Sequence, residues 1–454
     1  MTGRQRTRVA WRALLAGSVG LALGPLPAAA QEPTEDAIKM IVDLVSDADR
    51  DMRALGLQQV REEARGEKAT RRFAELLAKL APEAQASLLE ALGDRGDPVA
   101  RPAVVEMLKS REEGVRVAAL RALGNLGSEK EVRLLAEKAA AGPEREKAAA
   151  RASLVRLRGE GASAAILAAM RGAAPGEKAV LLGVLADRHA AEALAIALES
   201  AVDPDPAVRL AALGALRGLA DQRHIAALIK VLKAAKDNAE RRAAESALLA
   251  VCGRAREKCT AGLVTGMAEP DGAVRAVLLR ALGRAGGAKA LEAVVARLSD
   301  ADVAVGDEAL RVLSNWPDSS AASHLLAAAQ DAKRPQQEVL AIRGLVRLGG
   351  AQKGKPADVK LLGETLKLAK RPAEKRLVLG ALGGIATPES LELLVPLLDD
   401  AGLCDEAALA VVMIAEQMKG GDRGKLRGAV EKARSAAKDP QVRERVQSVL
   451  QSLQ

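Results

Sequence analysis

A leucine that returns at a near-constant interval restricts this chain more than any other feature. Val115-Arg116 leads to Leu123, Val208-Arg209 to Leu216, and Val274-Arg275 to Leu282, each with the leucine eight residues after the valine. Followed along the chain, the position reads Leu92, Leu123, Leu154, Leu185, Leu216, Leu249, Leu282, Leu313, Leu345 and Leu382. The first four intervals are 31 residues, and the later ones run from 31 to 37. A period held over hundreds of residues is the mark of a repeat array, in which each unit is one supersecondary motif.

Within a period the apolar residues fall into two helical stripes. Val208, Ala212, Ala215, Leu216 and Leu219 share one face of a first helix, and Ile225, Leu228, Ile229 and Leu232 one face of a second. Leu291, Val294, Val295 and Leu298 repeat the second pattern further on. Asp-Pro and nearby prolines (Asp203-Pro204-Asp205-Pro206, Glu269-Pro270-Asp271, Asp439-Pro440) supply a cap and a preset φ before a first helix. The glycines after the repeating leucine (Gly93, Gly124, Gly283, Gly383) are expected to end it as left-handed residues. A lone hairpin cannot bury both stripes, so neighbours must stack. The expected fold is all-α: a solenoid of about a dozen helical hairpins over residues 31–454, forming an arc on the order of 100 Å. Glu35–Ser46 reads as the second helix of an N-terminal half-repeat, and Gln441–Leu453 as a closing helix.

Composition agrees with thin layers. Tyrosine is absent, and Trp11, Phe73 and Trp316 are the only aromatic residues in 454. A thick central core recruits large rings for volume, whereas stacked helices manage with Ala and Leu because small side chains allow close approach. The scarcity of rings also disfavours stacking platforms for bases or sugars.

The pattern Asp-Pro-x-Val-Arg-x-x-Ala-x-x-Ala-Leu, clearest at residues 205–216 and echoed at 271–282, resembles HEAT repeats. The short period is similar to the phycobilisome-lyase-like HEAT repeats, and the whole chain to exported bacterial HEAT-repeat proteins. The resemblance implies a ladder between repeats formed by an Asp before the first helix and an Arg inside it. The matching positions are Asp205 with Arg209, Asp271 with Arg275, and Asp439 with Arg443. The repeats opening at Glu177 and Val305 depart from the pattern, so the ladder is expected to break there.

Residues 1–30 have the three parts of a signal peptide: Arg4, Arg6, Arg8 and Arg12, an apolar stretch from Ala13 to Leu23, and the small-residue exit Pro27-Ala28-Ala29-Ala30. Cleavage after Ala30 leaves Gln31 first. A retained anchor is the other reading, disfavoured because the apolar stretch falls short of the ~20 residues a spanning helix needs. The mature chain is expected in the periplasm or outside the cell, with no integral membrane contact. Of 68 basic residues four lie in the leader, which leaves 64 against 59 acidic ones. That near balance gives no licence for a nucleic-acid partner.

No motif rises to a catalytic or cofactor site. Gly349 to Lys355 reads G-x-x-x-x-G-K, but Pro356 stands where a magnesium-ligating hydroxyl is required. Gly159 to Ala164 reads G-x-G-x-x-A after a helix, with no βαβ context. His189, His224 and His324 lie in different repeats, so no metal site is expected. Cys252 and Cys259 bracket a turn between two helices of one repeat; they read either as a hairpin disulfide in an oxidising compartment or as two small buried hydrophobes. Cys404 reads as a buried helix residue. Two Gly- and Lys-rich loops, Gln352–Asp358 and Lys419–Lys425, break the period, and Lys360, Glu364, Lys367 and Lys370 form a polar stripe. The expected function is a non-catalytic scaffold for a protein or peptide partner. The alternative is an accessory or regulatory subunit of an enzyme system of the lyase type.

Overall fold

The computed structural model describes residues 33–159, 161–350, 357–418 and 423–452. The leader lies outside the described residues, as does most of each period-breaking loop. All regular structure among the described residues is helical. The chain divides into two compact units: residues up to 128 with 156–158, and residues 129–155 with 159 onward.

The first unit is a two-layered solenoid. Arg50–Glu62, Pro82–Arg95 and Glu113–Leu126 pack side by side as one layer of first helices. Glu35–Ser46, Glu67–Glu75 and Arg101–Glu106 form a second layer in the same order. The second unit repeats the arrangement. From Pro206–Leu219 through Asn238–Ala255, Gly272–Ala285, Val303–Ser314, Pro335–Gly349, Pro372–Gly383 and Cys404–Gln417 to Pro440–Ser452, each first helix packs on the next.

Aspartates start the first helices. Asp49, Asp205, Asp237, Asp271 and Asp302 each accept from backbone N–H groups of the following turn, satisfying donors the helix cannot. Such a cap stabilises a helix by about 1 kcal/mol. The repeating leucines form the core: Leu92, Leu123, Leu154, Leu185, Leu216, Leu282, Leu313, Leu345 and Leu382 are all 0% exposed.

Two details differ from the sequence reading. In the repeat opening at Asp237 the core position is Leu248, fully buried, while Leu249 is half-exposed. Leu248 stands at the same distance from the start of its helix as Leu216 and Leu282 do from theirs, so the register is set by the cap at Asp237, and the extra turn of Asn238–Ala255 lies beyond the core leucine. The glycines Gly93, Gly124, Gly283 and Gly383 are not left-handed stops. They lie inside helices, and the left-handed stop after the first of them comes three residues later at Gly96, φ 70°. At Gly93, Gly283 and Gly383 the use is close approach. A Cβ at Gly93 would lie 3.0 Å from Ala122 Cα, and one at Gly383 2.9 Å from Ala410 Cα. A missing side chain lets adjacent first helices touch backbone to backbone.

Candidate functional site

The polar groups of the second unit fall into two inter-repeat systems and one groove. Arg209 sits in the first turn of Pro206–Leu219 with its side chain 7% exposed. Its Nη1 donates to the carbonyls of Asp203 and Pro204 at 2.8 and 2.7 Å, while Nε and Nη2 donate to Glu240 Oε1 at 2.8 and 2.6 Å. Glu240 belongs to the next repeat and also accepts from the Lys236 N–H. Hydrogen bonding from Arg209 is the largest influence on the Glu240 carboxyl and holds it below its ordinary value against the opposing effect of burial. Arg275 repeats the geometry: Nη1 reaches the carbonyls of Glu269 and Pro270, and Nη2 reaches Asp300 Oδ1 at 3.3 Å.

Asp205, Asp271 and Asp439 stand immediately before their first helices. Each caps its own helix with its side chain, and its backbone carbonyl accepts from the N–H of the arginine four residues on. Arg443 Nε binds the Ala437 carbonyl at 2.6 Å. Rungs between repeats join Arg209 to Glu240 and Arg275 to Asp300, and Asp302, the cap of the next first helix, lies 3.8 Å from Arg275. Lys178 takes the arginine position in the departing repeat and lies 3.6 Å from Asp203. Toward the C-terminus the polarity reverses. Glu338 accepts from the Lys370 N–H at 3.3 Å, and Asp405 from the N–H groups of Lys438 and Asp439 at 2.6 and 2.9 Å.

A second set of arginines works at the opposite helix ends. Arg188 donates back to the carbonyls of Leu154 and Val155, Arg254 to those of Arg217 and Ala220, and Arg347 to Ser314. In the first unit Arg95 does the same to Val60, Glu63 and Ala64, with its guanidinium 5.4 Å from the Phe73 ring centroid. Each satisfies carbonyls left unbonded in the last turn of the preceding first helix, where the helix dipole also favours a cation. These are structural positions.

The groove lies across four consecutive first helices, Pro206–Leu219 to Val303–Ser314, and has a volume of about 680 Å³. Leu249, Ala250, Gly283 and Val312 give it an apolar floor. Arg280 is clamped in it, with Nε 2.5 Å from Glu245 Oε1 and Nη1 3.2 Å from Glu308 Oε1; Glu308 also pairs with Arg311. Arg217, Arg242 and Arg284 line it as well, and have no carboxylate partner among the described residues. Five arginines thus face two glutamates, and both glutamates are already engaged. No histidine or cysteine lines the groove. The sequence reading missed this site. Part of its signal was an arginine two residues before the core leucine in consecutive repeats, Arg280 and Arg311.

The remaining candidates are dispersed. His189 follows Pro175–Asp187 with φ 53°, His224 Nδ1 accepts from the Asp221 N–H, and His324 lines a separate cavity with Asp331 and Arg334. No group of three or more metal-ligating side chains occurs among the described residues. Cys252, Cys259 and Cys404 are buried free thiols. Burial is the main cause that pushes the Cys252 and Cys259 thiols up. Lys360, Glu364, Lys367 and Lys370 are all exposed. Gly159 and Gly161 stand at the start of Ala162–Ala169, with φ 101° at Gly159; most of Gly349 to Lys355 lies outside the described residues. No described helix is long and apolar enough to cross a membrane.

Comparison with known proteins agrees with this architecture. The family model for HEAT repeats matches residues 69–155 and 260–345. Structures of the karyopherin Kap121p bound to Nup53p and to Ste12p share the fold at 14% identity, with TM-scores of 0.51 and 0.50. Each match covers 92% of this chain and 53% of the Kap121p chain, so the protein spans about half the length of these solved structures. No curated protein sequence matches it. The fold is that of an α-solenoid, with HEAT repeats matched over residues 69–155 and 260–345.

Proposed function

We propose that the protein is a non-catalytic scaffold that binds a protein or peptide partner outside the cytoplasm. The observation that carries this reading is the groove: an open trough across four repeats, with an apolar floor and arginines that no carboxylate among the described residues pairs. A catalytic centre needs convergent acid, base or nucleophile groups, and the acidic groups here are two glutamates bound to arginines. Extended surfaces of this kind are what stacked repeats provide for recognition. The solved solenoids of like fold are bound to protein partners, Nup53p and Ste12p. Export rests on the three-part leader, and N-terminal sequencing of the protein from fractionated cells should return Gln31.

The scaffold reading is tested by immobilising the mature chain, passing an extract of its source cells over it, and identifying retained proteins by mass spectrometry. A partner that is retained and then rebinds in purified form is expected. Enrichment of nothing beyond an unrelated α-solenoid control would sink the reading.

A further inference from the structure

We infer that the groove of the second unit takes an acidic, extended segment of the partner polypeptide; this rests on the scaffold reading above. The argument is charge and shape. Arg217, Arg242 and Arg284 project from three successive first helices with no carboxylate partner among the described residues. Guanidinium groups bind carboxylates through paired N–H donors, so each is a ready receptor for a Glu or Asp side chain. Arg280 is held in place by Glu245 and Glu308, which fixes the groove's centre before anything binds. Ordering a receptor in advance lowers the entropy cost of binding.

The floor selects the class of polyanion. Leu249, Ala250 and Val312 offer contact to aliphatic side chains between the acids. Nucleic acid is less well served: no aromatic residue lines the groove for base stacking, and Glu245 and Glu308 interrupt any run of phosphate contacts. With helices about 9 Å apart, four of them span about 27 Å. An extended chain of about eight residues covers that distance. The occupant is therefore a short stretch of glutamates or aspartates interleaved with aliphatic residues.

The test is fluorescence anisotropy with the purified mature chain and a labelled peptide of about eight residues, glutamates interspersed with leucines. A lysine peptide of the same length serves as control. The acidic peptide should bind, the lysine peptide should not, and raising salt from about 0.05 to about 0.5 M should weaken binding. Arg217→Glu, Arg242→Glu and Arg284→Glu together should reduce affinity at least about tenfold, with an unchanged circular-dichroism melt. Should that variant fold poorly, Arg→Gln at the same positions keeps the stems, removes the charge and should show the same loss. Lys360→Glu, Lys367→Glu and Lys370→Glu, on an exposed stripe elsewhere, should leave binding within about twofold. Peptide affinity unchanged in the arginine variants, or no binding at all, overturns the inference. Displacement of the peptide by duplex DNA at lower concentration than by unlabelled peptide also overturns it. A cellular partner retained equally by wild type and arginine variants would leave the scaffold reading standing and remove this one; no partner retained by either would remove the scaffold reading itself.

Discussion

Arg209 and Glu240 meet with side chains only 7% and 2% exposed, so neither can fall back on water when the other is removed. Arg209→Ala leaves a buried carboxylate without its main partner, a change that costs about 3–5 kcal/mol. The urea midpoint should fall accordingly. Arg445→Ala breaks a pair whose side chains are 46% and 38% exposed, and should cost less than about 1 kcal/mol. Equal shifts for the two variants would contradict the assignment. The same rung sets an acid sensitivity. Arg209 hydrogen bonding lowers the Glu240 carboxyl from 4.5, Arg223 brings Asp221 down to about 2, and the backbone N–H groups of Asp439 and Lys438 lower Asp405. A folded pKa below the unfolded one contributes stability that is fully present above the unfolded value and lost as pH falls through the folded value. The melting temperature should therefore drop as pH falls below about 4.5, and Glu240→Gln should flatten part of that drop. Melts recorded from about pH 7 to about pH 3 decide it, and a flat wild-type profile would contradict it.

Among the elements, the glycine positions separate packing from propensity. Gly383→Ala gains helix propensity of about 1 kcal/mol but sets a Cβ 2.9 Å from the Ala410 backbone, and overpacking of that kind costs about 1–3 kcal/mol. Gly214 lies inside Pro206–Leu219 with nothing within 4 Å of an added Cβ, so Gly214→Ala should stabilise by about 1 kcal/mol. Denaturant unfolding of the two variants should move in opposite directions; two stabilised variants would remove close helix approach as the reason for Gly383. The helices themselves were legible because the leucine period, the Asp caps and the apolar stripes all agree at Asp205 to Leu232. The glycines misled because a glycine near a helix end serves either a left-handed stop or a close approach, and sequence spacing does not distinguish them. Leu249 misled for a related reason. Two adjacent leucines, Leu248 and Leu249, fit the stretched interval, and the distance from the Asp237 cap, the same as from Asp205 to Leu216, decides which one enters the core.

Over the whole molecule, the class of fold was carried by periodicity alone, while the site depended on what no period encodes. The arginines of the groove are spread over four consecutive repeats, and the mix of 64 basic and 59 acidic residues beyond the leader conceals them. Only stacking brings Arg217, Arg242 and Arg284 to one surface and commits Glu245 and Glu308 elsewhere. The implied ladder shows the converse. Its arginines were readable by type, whereas the acid that meets Arg209 lies 31 residues on, at Glu240. The central claim is that the groove is where a partner docks. Its most direct test is site-specific photocrosslinking, with a photoreactive residue in place of exposed Asn315 at the groove or of exposed Lys367 elsewhere, followed by illumination with the retained partner. A covalent adduct from position 315 and none from position 367 is the predicted result; adducts from 367 alone would contradict the account.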